Sequence, residues 1–404
     1  VGSEMCIRDR GFAAAITVAA ALFSGLFPVL RTRSAQLADQ LREGAGRGGT
    51  AGRERHRLRN GLVVVQIALA LVLLIGSGLM YRSFRALQAV DAGFDAPAFL
   101  TAQIIVPTAE IEDPVETEAF FRQLADQLAG APGVEAVGYG GAIPVDDGLP
   151  FYSIEVEDHP REPNELPVLS SNIRVGPGYI EALGIPVLEG RAPRADDDAT
   201  GARSVVVSES FARRWWPDTS PIGRRVRAGF DGEEWYTIVG VVGDVRFQGL
   251  QSPAEETVYW PTLAGPADSP APARGAEVIL RTADDADPMA LLPAVRKAVA
   301  ELSPRIPVSN PRTALAVKEA ATARTSFTMA LLAAASGIAL LLGLIGIYGV
   351  ISYVVSQRSR EIGIRMAMGA TEASVRRMVV GQGLVLAGLG VGIGLFAAAG
   401  LSRT

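Results

Sequence analysis

The chain has 404 residues, 49% of them hydrophobic and 20% charged, with a formal net charge of −5 and a mean hydropathy of +0.24. No overall basic character is present, which excludes a nucleic-acid binder that relies on whole-chain charge, and the apolar content excludes a disordered chain. One cysteine and two histidines, His56 and His159, exclude a disulfide scaffold, a thiolate zinc site and a His-rich metal cluster.

In chain order, Val1–Arg10 (VGSEMCIRDR) is polar, lacks a start methionine and reads as a read-through tag outside the fold, Cys6 included. Four uncharged runs follow: Gly11–Leu30 of 20 residues, Gly61–Tyr81 of 21, Ser326–Gln357 of 32 and Met378–Ser402 of 25. A hydrocarbon core of roughly 30 Å takes about 20 helical residues, so each run is long enough to span it. Buried core helices rarely stay uncharged for so long. Between the runs, Arg31–Asn60 nets +5 and Arg358–Arg377 nets +3, while Arg82–Arg324 nets −14. Short basic loops stay in the cytoplasm. The expectation is therefore a multi-pass membrane protein, with 31–60 and 358–377 cytoplasmic and 82–325 outside. Thr404 follows a span directly, so the chain is expected to be a fragment, open at both ends.

The outer segment carries an internal echo. Phe99–Val106 reads as a strand, Asp113-Pro114 as the cap and first residue of a helix, and Val134–Tyr139 as the next strand. Glu277–Arg281, a helix opened by Asp287-Pro288 and stopped by Pro304, and Ile306–Ser309 repeat that order. Two βαβ units (99–142 and 276–310) thus flank a β-rich lobe (143–275), unless two ordinary βαβ patterns merely coincide. Within the insert, Val205–Val207, Trp235–Val242 and Val258–Trp260 read as strands, and Ser208–Trp216 as a short helix. Trp215, Trp216, Trp235 and Tyr236 fit either a core or a ligand groove, a core being the commoner use. Asp196-Asp197-Asp198 reads as a solvated loop, with weak calcium binding the lesser alternative.

Catalytic signatures are missing from the chain. Its two lysines, Lys297 and Lys318, do not follow a glycine, so there is no P-loop, and there is no G-x-S-x-G elbow. Gly44–Gly49 matches G-x-G-x-x-G only formally and reads as a linker. No enzyme, cofactor or metal site is expected. The spans hold no Asp, Glu, Lys, Arg or His, which argues against an ion-coupled carrier. They do hold small-residue stripes, Gly343-x-x-Gly346-x-x-Gly349 and the run Gly388, Gly390, Gly392, Gly394 with its Gly388-x-x-x-Gly392, fit for close helix packing or simply common in spans.

After the third run comes QRSREIGIRMAMGAT, residues 357–371. Ile362 and Met366 share a face at i, i+4, Gly369 suits a helix end, and Thr371 suits the next cap. The residues read as a short amphipathic helix at the membrane surface, either a plain interfacial helix or a docking knob. The motif R-E-I-G-I-R-M-A-M-G-A resembles the signature of the FtsX/MacB-type ABC permease domain, here the truncated stretch 326–404. Asn60–Phe99, with Gln66, Arg82-Ser83-Phe84 and Asp91-Ala92-Gly93-Phe94-Asp95, resembles the span and neck preceding the family's MacB-like periplasmic core domain. Leu26–Gly44 resembles the end of another such unit, as in acidobacterial-type duplicated permeases.

The resemblance implies a multi-pass protein of the bacterial inner membrane, with α-helical spans and an α+β extracytoplasmic domain. It also implies that 358–377 is a coupling helix. Arg358, Arg360, Glu361, Ile362, Gly363, Arg365, Met366 and Gly369 would then meet a cytoplasmic ABC ATPase subunit, which binds the ATP. Membrane lipid, a second permease unit and a periplasmic adaptor are the other partners implied, and nucleic acid is not one. The implied function is mechanotransmission for efflux or export, the alternative being a signal relay to an extracytoplasmic hydrolase.

Overall fold

The computed structural model describes residues 17–18, 50–94, 99–146, 148–162, 165–194, 197, 203–229, 234–262, 274–282, 286–357, 359–368 and 371–401. The expected tag, most of the first apolar run and the Gly44–Gly49 linker lie outside the described residues. Residues Leu73–Ile338 form one compact unit, and Val1–Val72 with Ala339–Thr404 form another.

Among its described residues the first unit holds eleven strands in two lobes. Strands β1 (Phe99–Ile105), β2 (Val134–Gly140), β10 (Gly275–Thr282) and β11 (Val308–Thr313) form an antiparallel sheet in the order β11-β1-β10-β2. Helices α2 (Pro114–Ala129) and α5 (Leu292–Leu302) cover one face, as a split βαβ repeat requires. Asp113 caps α2, its carboxylate accepting from the Val115 amide at 2.8 Å. Asp287 does the same for Met289 at 3.0 Å. The echo read in the sequence is thus one sheet. Its last strand begins at Val308 rather than Ile306, because the Ile306 side chain turns into the core beneath α5.

The insert is a barrel. Strands β4 (Val168–Val175), β3 (Phe151–Val156), β7 (Arg225–Ala228), β8 (Tyr236–Val242), β6 (Ser204–Ser208) and β9 (Thr257–Pro261) pair in that order. Strand β9 then returns to β4 in parallel register, Ser171 opposite Thr257. Closure leaves no open edge among the six, and β5 (Val187–Gly190) adds to β8 alone. Helix α3 (Tyr179–Leu183) packs on β2, while α4 (Glu209–Trp215) belongs to the barrel core through Phe211. Trp260 is fully buried, donating to Asn172 Oδ1 at 2.5 Å and meeting Tyr236 edge-on at 5.0 Å. Trp216 and Tyr236 are buried in this core and Trp215 packs against it, whereas Trp235 lies under the Arg227 guanidinium at 4.9 Å. On the barrel exterior, Glu155–Arg227, Glu157–Arg225 and Asp158–Arg224 pair across β3 and β7. Each surface pair contributes at most about 1 kcal/mol, but together they disfavour a slipped register.

One expectation is corrected here. Asp197 is not solvated. It is buried and bound by both Nη atoms of Arg191, at 2.5 and 2.7 Å, with the Arg194 amide donating at 2.8 Å. Those hydrogen bonds and the Arg191 charge hold its carboxyl below the usual range despite burial. Asp196 and Asp198 lie outside the described residues.

Two other carboxyls behave oppositely. Burial raises Glu118, which accepts from the Tyr139 hydroxyl at 2.5 Å, and Glu277, which accepts from the Thr101 hydroxyl at 2.6 Å. A carboxyl with a raised folded pKa binds its proton more tightly folded than unfolded. Its contribution to stability is therefore full in acid and declines as pH rises through the folded value. Glu277→Gln is expected to raise the thermal midpoint at neutral pH and to flatten its fall as pH rises above the ordinary carboxylate range. Tryptophan-fluorescence melting of the detergent-solubilised chain reads this directly, and an unchanged slope refutes it.

The second unit takes in part of α1 (Thr50–Gln88) and α6 (Ala314–Gln357), with α7 (Ser359–Ala367) and α8 (Glu372–Leu401). Among the described residues, three helical stretches are long and apolar enough to cross a membrane: Asn60–Gln88, Thr325–Ser356 and Glu372–Leu401. Their large apolar side chains point outward, Phe396 being 85% and Tyr348 73% exposed. In water that exposure is costly, whereas in lipid it is the stable arrangement. Val63, Val350, Val354 and Leu386 form the helix-packing core. Gly346 lies against Val63 and Gln66, the single strongly polar residue of its span. The glycine run on α8 splits by face. Gly388 and Gly392 face open space, while Gly390 and Gly394 lie against α1 at Val64, Ile67, Ala68 and Leu71.

Candidate coupling segment

Helix α7 follows the end of α6 after Arg358, and the Ser359 hydroxyl donates to the Ser356 carbonyl at 3.0 Å. Glu361 and Arg365 pair at i, i+4, with Nη2 to Oε1 at 2.7 Å and glutamate on the N-terminal side, the favourable order. Arg365 Nη1 also lies 3.9 Å from Met378 Sδ on α8. The Met368 amide donates to the Ile364 carbonyl at 3.0 Å, extending the turn. Helix α8 opens after Thr371, whose carbonyl accepts from the Ser374 and Val375 amides at 3.0 and 3.3 Å.

Of the expected residues, Glu361, Ile362, Gly363, Arg365 and Met366 stand on α7, as does Arg360. Arg358 and Gly369 lie outside the described residues. The faces are mixed: Ile362 is half-buried, while Ile364, Met366 and Met368 are exposed beside Glu361 and Arg365. A Cβ at Gly363 would meet nothing within 4 Å, so its backbone is open to an approaching group. A groove of about 680 Å³ is lined by Met366, Thr371, Glu372, Val375, Arg376 and Val380. Sequence reasoning missed Met368, Glu372 and Arg376. The signal was available, since an acidic first turn opens α8 and two arginines precede its apolar run. Exposed apolar side chains interleaved with a charged pair suit docking onto protein, where desolvated anchors supply affinity and charges supply register. Among the described residues no group of His, Cys, Asp or Glu is placed to hold a metal.

The description "MacB-like periplasmic core domain" matches residues 61–298, and "FtsX-like permease C-terminal" matches residues 333–404. The chain belongs to the MacB/FtsX-type permease family. As a member it is a membrane protein with an extracytoplasmic α+β domain, and α7 falls inside the FtsX-like part.

This permease-family chain is 27% identical over 233 residues to the macrolide export ATP-binding/permease protein MacB 1/2 of Paracoccus denitrificans, covering 56% of itself and 33% of that protein. It is 26% identical over 227 residues to the ABC transporter permease YknZ of Bacillus subtilis, covering 55% of each. The chain thus spans between a third and about half the length of these relatives. Among solved structures it overlaps the periplasmic region of MacB from Actinobacillus actinomycetemcomitans at 14% identity. That match has a TM-score of 0.36 and covers 56% of this chain and 94% of that one. The extracellular domain of the transporter YknZ from Gram-positive bacteria overlaps at 18% identity and a TM-score of 0.32, covering 52% of this chain and 100% of that one.

Proposed function

We propose that this chain is a permease component of an ABC-type export system, in which a separate cytoplasmic ATPase docks on Arg358–Gly369 and drives movement of the extracytoplasmic domain. One observation carries the reading. Helix α6 is unbroken over 44 residues, about 66 Å at 1.5 Å per residue. It starts in the outer core with Ala314 and Val317 and ends beside α7. A continuous helix transmits a push or a tilt along its length, whereas a loop would absorb it. The chain's own residues make the docking face and the lever. ATP chemistry is left to the ATPase in this reading, since neither lysine in the sequence sits in a phosphate-binding loop. The outward-facing Gly388 and Gly392 are the surface assigned to a second permease unit, with lipid covering the remaining apolar exposure.

A dye on the barrel tests the transmission. With Cys6→Ser, a cysteine placed at Leu166, which is 84% exposed on the barrel lobe, becomes the single labelling site. In nanodiscs with the ATPase encoded beside this chain, trapping with ATP and vanadate is expected to shift the dye's emission. Emission unchanged on trapping, with the ATPase bound, overturns the reading.

A further inference from the structure

We propose that Asp244–Ser252, the segment between β8 and β9, is a strap that carries movement of the outer ends of α1 and α6 into the barrel lobe. The proposal rests on the transport reading only for what sets the helices moving. Both ends of the segment are rooted in the barrel. Asp244 accepts from the Ser210 amide at the start of α4, at 2.8 Å. Beyond Ser252, Glu255 accepts from the Ser171 hydroxyl on β4.

The middle of the segment reaches both helices. Toward α1, the Arg246 amide donates to the Ala92 carbonyl at 3.1 Å, and its Nε to the Asp91 carbonyl at 3.3 Å. Gly93 is held at φ +82°, flat against Asp244 and Val245, where a Cβ would overlap the Asp244 carbonyl oxygen. That close approach explains the glycine in the Asp91–Phe94 turn. Toward α6, Val245, Phe247 and Leu250 are buried in one cluster with Ala314 and Val317, and Leu87, Val90 and Ala321 pack against it. Gln251 Nε2 donates to Thr325 Oγ1 at 3.3 Å, where the third span begins.

A third tie runs to the crossing between the lobes. The Val145 amide donates to the Arg246 carbonyl at 2.9 Å, and Val145 sits at φ +56°. A β-branched residue keeps that conformation only where its surroundings impose it. Nine residues therefore touch both helix ends, the inter-lobe loop and two barrel elements. Displacement of either helix end therefore bears on the strap, which packs in the same cluster as Val206, Val242 and Tyr259 of the barrel strands.

Cross-linking tests this without the ATPase, so a failure here is separable from a failure of the transport reading. In the full chain in nanodiscs, with Cys6→Ser, cysteines at Gln251 and Thr325 are joined by a short bis-maleimide. Both positions are surface-accessible, so the substitutions leave the core intact. Hydrogen exchange is expected to slow about tenfold at residues 85–92, the end of α1 and the turn after it, and in β8 and β9. Arg246→Ala in the linked protein removes the side-chain bonds to the Asp91 and Ser252 carbonyls but keeps the amide bond to Ala92, and is expected to lift part of the slowing at 85–92. Slowing confined to the linked residues overturns the proposal, as does slowing at 85–92 that Arg246→Ala leaves unchanged.

Discussion

Arg360→Glu combined with Arg365→Glu is expected to abolish retention of the partner ATPase on an affinity column while leaving the permease folded. The expectation follows from where the charges stand. Arg365 is paired with Glu361 on an exposed helix face beside Ile364 and Met366, so its guanidinium keeps donors available for a partner carboxylate. An interfacial charge turned against its partner costs at least about 2 kcal/mol, roughly thirtyfold in affinity, and two such changes compound. The same changes cost α7 itself only a few tenths of a kcal/mol, the worth of an exposed i, i+4 pair. A swapped pair, Glu361→Arg with Arg365→Glu, separates the two effects. It keeps an ion pair on the helix but inverts the pattern shown to the partner, and it too is expected to lose the ATPase. Retention unchanged in both variants removes α7 as the docking face.

Gly390→Leu is expected to destabilise the membrane unit by about 1–3 kcal/mol or to prevent its assembly, whereas Gly392→Leu is expected to be nearly neutral. The two glycines are two residues apart on α8 and look alike in the sequence. A Cβ at Gly390 would lie 2.7 Å from Ile67 Cβ and 3.1 Å from the Val64 carbonyl oxygen, so the helices must separate to admit it. At Gly392 a Cβ meets nothing within 4 Å. Lipid supplies no hydrophobic drive to re-pack separated helices, so lost contact along α1 is not recovered elsewhere. The thermal aggregation midpoint in detergent reads the contrast. Equal midpoints for the two variants would show that α8 does not rest on α1 through Gly390.

Much of the outer domain was legible because its signals are local. Asp113 and Asp287 cap as a Ser/Thr/Asp-type N-cap before proline should, and β6, β8 and β9 are β-branched or aromatic runs. Strands β3, β4, β5 and β7 were not read. In β4 the inward residues include Ser170, Ser171 and Asn172, which are buried because distant groups satisfy them: the Glu256 carbonyl, Glu255 and Trp260. A polar run of that kind looks like a loop until its partners are known. Strand β7 (RVRA) is legible only opposite the acidic residues of β3.

The site divides in the same way. The coupling motif is compact in sequence, so its helix follows from spacing alone, whereas the Glu361–Arg365 pair and the exposed Met368 appear only in the fold. The groove formed with Glu372 and Arg376 depends on how α7 meets α8, which no spacing rule supplies. By itself the sequence marked the three long apolar helices, the sign of the segments between them and the short helix α7, because hydrocarbon thickness, loop charge and helical period are read over a few turns of chain. Only the tertiary structure decided that the insert closes as a barrel, that Asp197 is buried, that Gly390 rather than Gly392 meets α1, and that one segment ties both helices to the barrel. Each of those rests on groups brought together from distant parts of the chain, as β4 with β9 and Gln251 with Thr325, and only the folded core selects them.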